Sequence, residues 1–534
     1  MTGKLACSVV VPTYNRSELL RLTLASLVAQ SIGTAAFEVL VCDDGSSDDT
    51  ADVVESFQDR LDLRHHYQPD EGYRAGQARN LGIADARGEV CVMVDAGVIL
   101  HSEALRAHLD SHRLSPTPVA VVGYVYCFNE NNEDAAEIVR EVDPADPDTA
   151  IAAMRQQGRW LDIREAYYAK YTDDFGDLPA PWVLFWGCNI SARTDRLREV
   201  GMFDEAFHSW GGEDGELGYR LWRSGARLVL NREAAAIHWP HPKDYAQNMA
   251  DAAANYRYFA AKAGTPITQL ATNQHFLELN DVARERGLPS DEDFLSGRSN
   301  HLVVVFSPHP DDEVIACGGT IIKKIAEGHR VKIVFSTDGA MSHQAVLGLD
   351  EPSPAELVEI RTKESLAAAA AMGVAAGDVH FLGFPDTHLV DHQPAFRAAV
   401  SEFLAANQDV VEVYLPHDVL ELHADHRLTG ENVLRSLVGT GLVPLVRKYV
   451  VWDEHAEKEF DFTNREPSNR LPDTTERMVH YDIAEHLGRK LAALREHRTQ
   501  VELYTPAQTR PVVPESFVQR VCGRPFESFW TVTA

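Results

Sequence analysis

Residues Leu302–Glu313 read Leu-Val-Val-Val-Phe-Ser-Pro-His-Pro-Asp-Asp-Glu. An apolar, β-branched run of this length is typical of a buried strand, and Pro308 and Pro310 prevent its continuation. One histidine and three carboxylates therefore follow a predicted strand, at the edge where α/β proteins bind ligands. Histidine and carboxylate are ligands of divalent metals such as zinc, and a spare carboxylate can serve hydrolysis as a base. The alternative is an acidic loop with one surface histidine.

The length and charge of the chain limit its class. At 534 residues it is too long for one compact core, and roughly two to four domains are expected. The formal charge of −30 argues against nucleic acid, whose phosphates need clustered Lys and Arg, and against an anionic membrane surface. The seven cysteines form no CxxC pair and suit a reducing compartment. No signal peptide and no apolar run of about 18 residues is found, so we expect a cytoplasmic protein without a membrane span.

The first half alternates strand and helix patterns. Apolar runs predict buried strands at Cys7–Val11, Phe37–Cys42 and Val90–Val94, each ending in a polar loop. Repeated βα units predict a parallel sheet with its ligand loops at the carboxyl ends of the strands. Further on, Tyr245–Phe276 is predicted to be helical, and the polar stretch Leu288–Asn300 is the predicted domain boundary.

Four ordered motifs in the first half resemble those of inverting family 2 glycosyltransferases. They are Val9–Arg16, Asp43–Thr50, Ala78–Gly82 and the region Phe203–Leu221. Within the last, Trp210–Asp214 resembles the acceptor-side motif of chondroitin-polymerase-type and N-acetylgalactosaminyl transferases. The resemblance covers about residues 5–242 and implies a GT-A fold that binds a nucleotide-sugar donor.

The residue types in these motifs suit sugar transfer. Asp44 follows the second strand and would accept hydrogen bonds from uracil or ribose. Arg74 and Arg79 could face the pyrophosphate and supply local positive charge. Asp214 is the predicted base for the acceptor hydroxyl, and Glu213 is predicted to point into the same site. The alternative for these last two acids is that they only cap a helix N-terminus.

One position departs from the family pattern. Such transferases usually carry Asp-x-Asp after the fourth strand, with the last acid holding Mg²⁺ or Mn²⁺, whereas this chain has Asp95-Ala96-Gly97. His238 stands where related enzymes place a metal-binding histidine. Asp95 and His238 could suffice for Mg²⁺ or Mn²⁺ if phosphate oxygens and waters complete the shell. Otherwise transferase activity is weakened or lost, and the domain serves as a sugar-binding module.

The second half adds a partner to the loop at His309. In His423-Ala424-Asp425-His426 the two histidines are three residues apart and face one side of a helical turn. Together the two motifs resemble the zinc-dependent N-acetylglucosaminyl deacetylases that act on N-acetylglucosaminyl-phosphatidylinositol, the mycothiol precursor and antibiotic sugars. The similarity covers about residues 300–500 and includes Arg361–Glu364, Gly383–Asp386 and Leu494–Gln500.

This resemblance implies zinc bound by His309, Asp312 and His426, with an open position for water. Asp311 would take the proton from that water and later deliver it to the departing amine. His423 would stabilise the tetrahedral oxyanion.

Four further residues receive subsidiary interpretations. Asp425 would orient a histidine from behind, and Arg361 and Asp386 would contact sugar hydroxyls or other polar groups. His417, beside a proline at a strand end, is interpreted as part of a surface turn rather than as a ligand.

The sequence thus predicts an α/β chain of two domains, a GT-A nucleotide-sugar-binding fold followed by a Rossmann-like deacetylase fold. The predicted limits are 1–245 for the transferase, 246–299 for a helical linker and 300–534 for the deacetylase. The expected function is transfer of an N-acetylhexosamine, from UDP-N-acetylglucosamine, to a small-molecule or glycan acceptor, followed by N-deacetylation. One alternative is a zinc deacetylase with a weak or inactive transferase domain. Another has both domains active on separate intermediates of one polysaccharide pathway. Composition and coupled chemistry suit a GC-rich bacterium and natural-product pathways such as antibiotic biosynthesis.

Overall fold

A computed structural model describes residues 5–129, 131–297, 299–452, 468 and 476–532. The chain forms two compact units, Met1–Phe259 with His275–Asn280, and Ala260–Gln274 with Asp281–Ala534. Each unit has its own sheet and its own hydrophobic core. The domain limits expected at 245 and 300 stay predictions. No helix in the described part of the chain combines the length and the apolar character that crossing a bilayer requires.

The first unit is built on an eight-stranded sheet of order β3-β2-β1-β4-β7-β6-β8-β5. Its strands are β1 (Cys7–Thr13), β2 (Phe37–Asp43), β3 (Leu63–Tyr67), β4 (Val90–Val94), β5 (Val98–Leu100), β6 (Val119–Tyr126), β7 (Asn189–Arg193) and β8 (Arg227–His238). The three predicted strands are confirmed, and β3, β2, β1 and β4 run parallel as expected.

The prediction of a parallel sheet is only partly correct for the rest of this unit, where β6 and β8 are parallel. Strand β7 is antiparallel to β4 and β6, and β5 is antiparallel to β8. Only Asp95-Ala96-Gly97 joins β4 to β5, which is not a neighbour of β4 but pairs with β8 at the edge of the sheet. This short connection also fixes Asp95 at the carboxyl edge of the sheet.

The helices of the first unit flank the sheet and supply several of its motif residues. They are α1 (Ser17–Val28), α2 (Thr50–Glu55), α3 (Ala75–Asp85), α4 (Ala104–Leu114), α5 (Ala135–Glu141), α6 (Pro147–Gln157), α7 (Glu165–Tyr171), α8 (Thr194–Glu199) and α9 (Glu213–Arg223). Buried valines of β1, β2 and β4 pack against α1 and α2 in one core, because both faces of this part of the sheet are covered.

The helix predicted over Tyr245–Phe276 is interrupted. Helix α10 (Tyr245–Ala263) ends before Gly264, which has a φ of +65°. Thr265 then caps a new helix, α11 (Pro266–Leu270), through a capping box with Thr268. A glycine in the left-handed region followed by a proline at the first helical position ends one helix and starts another, so the single long helix was wrong.

The second unit contains a seven-stranded sheet of order β11-β10-β9-β12-β13-β15-β14. Its strands are β9 (Leu302–Ser307), β10 (Arg330–Thr337), β11 (Val379–Phe384), β12 (Val410–Pro416), β13 (Leu445–Tyr449), β14 (Glu476–Asp482) and β15 (Phe526–Val532). Strands β9 to β13 are parallel, and β15 and β14 form an antiparallel edge. Strand β9 lies between β10 and β12, so the loop that follows it opens at the middle of the carboxyl edge.

The remaining helices are α12 (Leu279–Glu285), α13 (Asp291–Leu295), α14 (Asp312–Ala326), α15 (Pro354–Met372), α16 (Leu389–Ala405), α17 (Ala424–Thr440), α18 (Leu487–Glu496), α19 (Arg498–Val501) and α20 (Glu515–Phe517). Short 3-10 or π turns cover Thr34–Ala36, Pro181–Leu184, Ser342–Leu347, Ala376–Asp378, Ala484–His486 and Val518–Cys522. Helix α14 begins at Asp312, and the acidic pair Asp312 and Glu313 is favourable in a first helical turn.

Candidate active sites

Three side chains meet at the carboxyl edge of the second sheet. His309 follows β9, Asp312 begins α14, and His426 lies in the first turn of α17. His309 Nδ1 lies 3.2 Å from Asp312 Oδ2 and 3.1 Å from His426 Nε2, and the last two atoms are 3.0 Å apart. Ligands held at about 2.0–2.1 Å around a tetrahedral zinc ion are separated by about 3.3 Å. These three atoms therefore fit a single divalent metal.

The second nitrogen of each histidine faces a carboxylate. His309 Nε2 lies 3.1 Å from Asp386 Oδ1 and 3.5 Å from Asp425 Oδ2. His426 Nδ1 lies 3.3 Å from Glu421 Oε1. Burial lowers the pKa of His426, but Asp312 and Glu421 outweigh it and raise that pKa to about 9. The cluster thus carries negative charge that attracts a cation. His309, His423 and His426 form a second possible group of metal ligands.

Asp311 stands beside this cluster in a strained backbone conformation, with a φ of +136°. Its N–H donates to Glu313 Oε2 at 2.9 Å, and the other oxygen of Glu313 lies 2.9 Å from His497 Nε2. Burial raises the pKa of Asp311 to about 7, against the lowering effect of Arg361, whose Nη2 lies 3.5 Å away. A carboxyl group with a pKa near neutrality can both accept and return a proton.

His423 is half-buried at the N-cap of α17. Its ring centroid lies 4.9 Å from that of His309 and 5.2 Å from that of His426. Burial lowers its pKa to about 3, and the positive charge of the other two histidines adds to this effect. The imidazole is therefore neutral and carries one N–H that it can donate.

Two residues expected to contact sugar form hydrogen bonds with backbone groups of the protein itself. Arg361 is buried and donates to the carbonyl oxygens of Gly339, at 2.8 Å, and Pro310. Asp386 accepts from the N–H of Met341 at 2.9 Å besides facing His309. Both residues hold the loops around the metal cluster in place, and a contact with the sugar stays a prediction.

The interpretation of His417 as a surface residue is wrong. Its side chain is completely buried, and its Nδ1 accepts from the N–H of Val419 at 3.1 Å. Its Nε2 lies 3.2 Å from Glu476 Oε2, on the edge strand β14. No local pattern around His417 indicates that an antiparallel pair of strands covers this turn.

Several residues that shape the second site received no role from the sequence. Glu313 binds His497, and Glu364 accepts from the N–H and the hydroxyl of Thr499, at 2.9 and 2.6 Å. These contacts give structural roles to two residues of the motif Leu494–Gln500. The sequence had indicated only that this motif resembles the deacetylase family. For Glu421, which stands between two leucines, no local signal indicated its role.

The predicted catalytic residues of the first unit also meet at the carboxyl edge of its sheet. Arg79 on α3 lies 2.8 Å from Asp95 Oδ1 and 3.4 Å from Glu213 Oε1. Asp214 Oδ2 accepts from the N–H of Gly187 at 2.8 Å. Glu213 and Asp214 both lie in the first turn of α9, as the capping alternative required. However, Glu213 faces Arg79, and Asp214 faces the loop before β7.

Burial raises the pKa of Glu213 to about 7, and repulsion from Asp214 adds to the effect while Arg79 opposes it. Burial also raises the pKa of Asp214. Two interacting carboxyl groups lose their protons in steps that belong to the pair rather than to either residue. The pair can therefore act as a base near neutral pH.

Asp44 and Arg74 lie together at the end of β2. Asp44 accepts from Gln68 Nε2 at 2.6 Å and from the backbone N–H of Arg74 at 2.8 Å. The Arg74 guanidinium donates to Glu71 Oε2 at 2.8 Å and to the carbonyl oxygen of Pro69. Contacts of Asp44 with the nucleoside and of Arg74 with pyrophosphate stay predictions.

The structure places His238 beside the Asp95-Ala96-Gly97 turn, because it pairs with Val98 across the sheet and Trp239 donates to the carbonyl oxygen of Gly97 at 2.9 Å. Burial lowers the pKa of His238 well below its usual value, so its ring is neutral. Within the described ranges, the groups of three or more metal-type side chains lie in the second unit. A metal on Asp95 and His238 stays a prediction.

Comparisons with known proteins match the two units separately. The model of glycosyl transferase family 2 matches residues 8–163, and that of the N-terminal domain of galactosyltransferase matches residues 174–241. The model of GlcNAc-PI de-N-acetylase matches residues 304–437.

Curated relatives align with the first half. Validoxylamine A glucosyltransferase of Streptomyces hygroscopicus subsp. jinggangensis is 36% identical over 264 residues, which are 49% of this chain and 62% of that protein. Chondroitin synthase of Escherichia coli is 30% identical over 241 residues, 44% of this chain and 35% of that protein. The chain thus spans less than two thirds of the length of these relatives.

Among solved structures, N,N'-diacetylchitobiose deacetylase from Pyrococcus horikoshii is 26% identical and covers 42% of this chain and 77% of its own, with a TM-score of 0.29. The family matches confirm that the N-terminal half resembles family 2 glycosyltransferases and the C-terminal half resembles GlcNAc-PI de-N-acetylases. The fold class is confirmed as α/β, with a GT-A domain followed by a Rossmann-like deacetylase domain.

Proposed function

We propose that the chain is a bifunctional enzyme. Its first unit transfers an N-acetylhexosamine, N-acetylglucosamine from UDP-N-acetylglucosamine, to an acceptor, and its second unit hydrolyses the N-acetyl group. The observation that carries the proposal is the approach of three ligand atoms, on His309, Asp312 and His426, to within 3.2 Å of one another. An amide hydrolase fused to a sugar transferase needs an acylated amine, and an N-acetylhexosamine contains one.

For the second unit, His309, Asp312 and His426 would hold zinc, which supplies Lewis acidity and a lowered pKa of water. Asp311 accepts the proton of the attacking water as the new C–O bond forms. It returns that proton to the nitrogen as the C–N bond breaks, which releases acetate and the free amine. The neutral His423 donates its N–H to the carbonyl oxygen as negative charge develops there.

For the first unit, Asp214 accepts the proton of the acceptor hydroxyl while its oxygen attacks the anomeric carbon and UDP departs with inversion. Arg79 holds Asp95 and Glu213 in place and brings positive charge to an otherwise acidic site. Asp44 would bind the nucleoside. Asp95 and His238 are the proposed side chains for Mg²⁺ or Mn²⁺.

A second candidate concerns the donor. The name of the 36% identical relative specifies glucosyl transfer to validoxylamine A, which favours a hexose without an acetyl group. The two units would then act on different intermediates. A comparison of UDP-N-acetylglucosamine with UDP-glucose as donor separates the candidates, because turnover of UDP-glucose alone contradicts the coupled proposal. Turnover of neither donor favours a sugar-binding module instead.

The proposed deacetylase is tested with Asp311→Asn in the full chain. We expect the rate of acetate release from an N-acetylglucosaminide to fall by about 10²–10⁴, because general acid–base catalysis contributes about that factor. Zinc binding should persist, since the three ligands are untouched. Removal of metal with a chelator should abolish acetate release by the wild type, and zinc should restore it.

Asp214→Asn is the matched control, since it removes a half-buried carboxylate of the other unit and should leave acetate release unchanged. An Asp311→Asn protein that releases acetate at the wild-type rate contradicts the assignment of the base.

A further inference from the structure

Glu421 is a buried carboxylate in the loop between β12 and α17. Its side chain is completely inaccessible to solvent. Oε1 accepts from the N–H of Val451 at 2.6 Å, and Oε2 accepts from the N–H of Trp452 at 3.1 Å. The same loop is tied to the chain after β13 by the N–H of Leu422, which donates to the carbonyl oxygen of Trp452 at 3.1 Å. Two backbone N–H groups therefore hold the carboxylate, and a third hydrogen bond ties its loop to the same segment.

The carboxylate also faces a candidate metal ligand. Glu421 Oε1 lies 3.3 Å from His426 Nδ1, while the opposite nitrogen of that ring, Nε2, points to Asp312. An imidazole that offers the lone pair of Nε2 to a cation carries its proton on Nδ1. The negative charge of Glu421, 3.3 Å from Nδ1, favours the tautomer with its proton on that nitrogen.

We infer that Glu421 is a positioning residue that fixes the tautomer and orientation of His426 for metal binding. The inference rests on the proposed function and extends it to a residue that does not itself touch metal or substrate. A carboxylate hydrogen-bonded to a ligating histidine also makes that histidine a stronger donor to the metal.

The arrangement resembles that at His309, whose Nε2 faces Asp386 at 3.1 Å, so both histidines of the cluster are supported by a carboxylate. Glu421 differs because it has no solvent exposure and receives two backbone N–H groups. The Glu421 carboxylate is therefore a buried part of the fold rather than an exposed side chain at the edge of the site. A purely structural carboxylate in this loop would affect stability but not metal affinity, and this difference can be measured.

The test compares Glu421→Gln with the wild type in the full chain. The amide keeps the size of the side chain and one oxygen for a backbone N–H, but it loses the charge opposite Nδ1. We expect zinc affinity, measured by competition with a chelator, to fall about 10–100-fold. The visible absorption of the Co²⁺-loaded protein should change as well, because it reports the geometry of the ligands.

Glu412→Gln is the matched control. Glu412 is buried on β12 and lies 2.8 Å from Nε2 of His301, a histidine outside the metal cluster. This variant should lose stability while zinc affinity stays within about twofold of the wild type, as expected for a change remote from the ligands. An unchanged affinity in Glu421→Gln, or an equal loss in both variants, overturns the inference.

A measurement on the unaltered protein covers the case in which Glu421→Gln does not fold. ¹⁵N spectra of histidine-labelled, zinc-loaded protein should show the proton of His426 on Nδ1, and a proton on Nε2 overturns the inference. A wild-type chain that binds no zinc at these residues contradicts the proposed function itself, which is a separate outcome.

Discussion

Each unit contains one buried carboxyl group whose pKa lies near neutrality, Glu213 in the first and Asp311 in the second. Burial is the main cause in both, and in both an arginine opposes it, at 3.4 Å for Arg79 and 3.5 Å for Arg361. An acid placed in water would be fully ionised at pH 7 and a poor proton donor. The two sites thus use the same physical means to obtain groups that exchange protons at neutral pH.

The pair Glu213 and Asp214 leads to a prediction about pH. Because the base Asp214 must be ionised and its pKa is raised by burial, kcat/KM for sugar transfer should rise with pH to a plateau, with the acidic limb above the usual range of an aspartate. Glu213→Gln removes the like charge next to Asp214, so the acidic limb should move to lower pH by about one unit. The measurement is a pH–rate profile between about pH 5 and 9.

Glu71→Gln is the control for this profile. Glu71 pairs with Arg74, and its side chain is 70% exposed, so its loss should leave the acidic limb in place. An acidic limb that stays at the wild-type position in Glu213→Gln would show that the two acids do not titrate as a pair.

At the scale of elements, the middle of helix α14 contacts an ion pair formed by Lys490 on α18 and Glu527 on β15. The N–H groups of Gly319 and Thr320 each donate at 2.8 Å to the carboxylate of Glu527 on β15. The carbonyl oxygen of Ile315 accepts from Lys490 of α18 at 2.9 Å, and Lys490 lies 2.7 Å from Glu527. This pair joins α14, α18 and β15 beneath the metal cluster.

Glu527→Gln should therefore destabilise the second unit by about 3–5 kcal/mol, because it leaves the Lys490 ammonium buried without its counter-charge. The measurement is the shift in urea unfolding of the full chain. Glu502→Gln removes the partner of Arg498 in an exposed pair and should leave the unfolding midpoint nearly unchanged. Equal shifts in the two variants would contradict the structural role of the buried pair.

Elements with a strong local pattern were predictable. Strand β9 and the loop after it follow from a β-branched run ended by prolines, and His309 and His426 follow from motif spacing. The break at Gly264 was missed because the alanine-rich stretch before it and the apolar residues after it were both interpreted as helical. The role of Glu421 and the burial of His417 could not be read from local sequence, because both depend on chain segments 30 or more residues away.

At the scale of the whole molecule, the named side chains of each candidate site lie within one unit. Asp44, Arg79, Asp95 and Asp214 all belong to the first unit, and the residues of the metal cluster all belong to the second. Neither set of side chains requires a residue from the other unit. If the proposed function is correct, the transferred N-acetylglycoside made by one chain can therefore serve as substrate for the second unit of another.

This independence predicts that two defective chains complement each other. With UDP-N-acetylglucosamine and acceptor, Asp311→Ala should accumulate the acetylated glycoside, because the proton acceptor for hydrolysis is absent. Asp214→Asn should form no glycoside. An equimolar mixture of the two full-length variants should yield the free aminoglycoside. Mass spectrometry detects this product by the loss of one acetyl group. Glucosamine on UDP in the Asp214→Asn reaction would reverse the proposed order, and a mixture that accumulates only the acetylated glycoside would contradict free exchange of the intermediate.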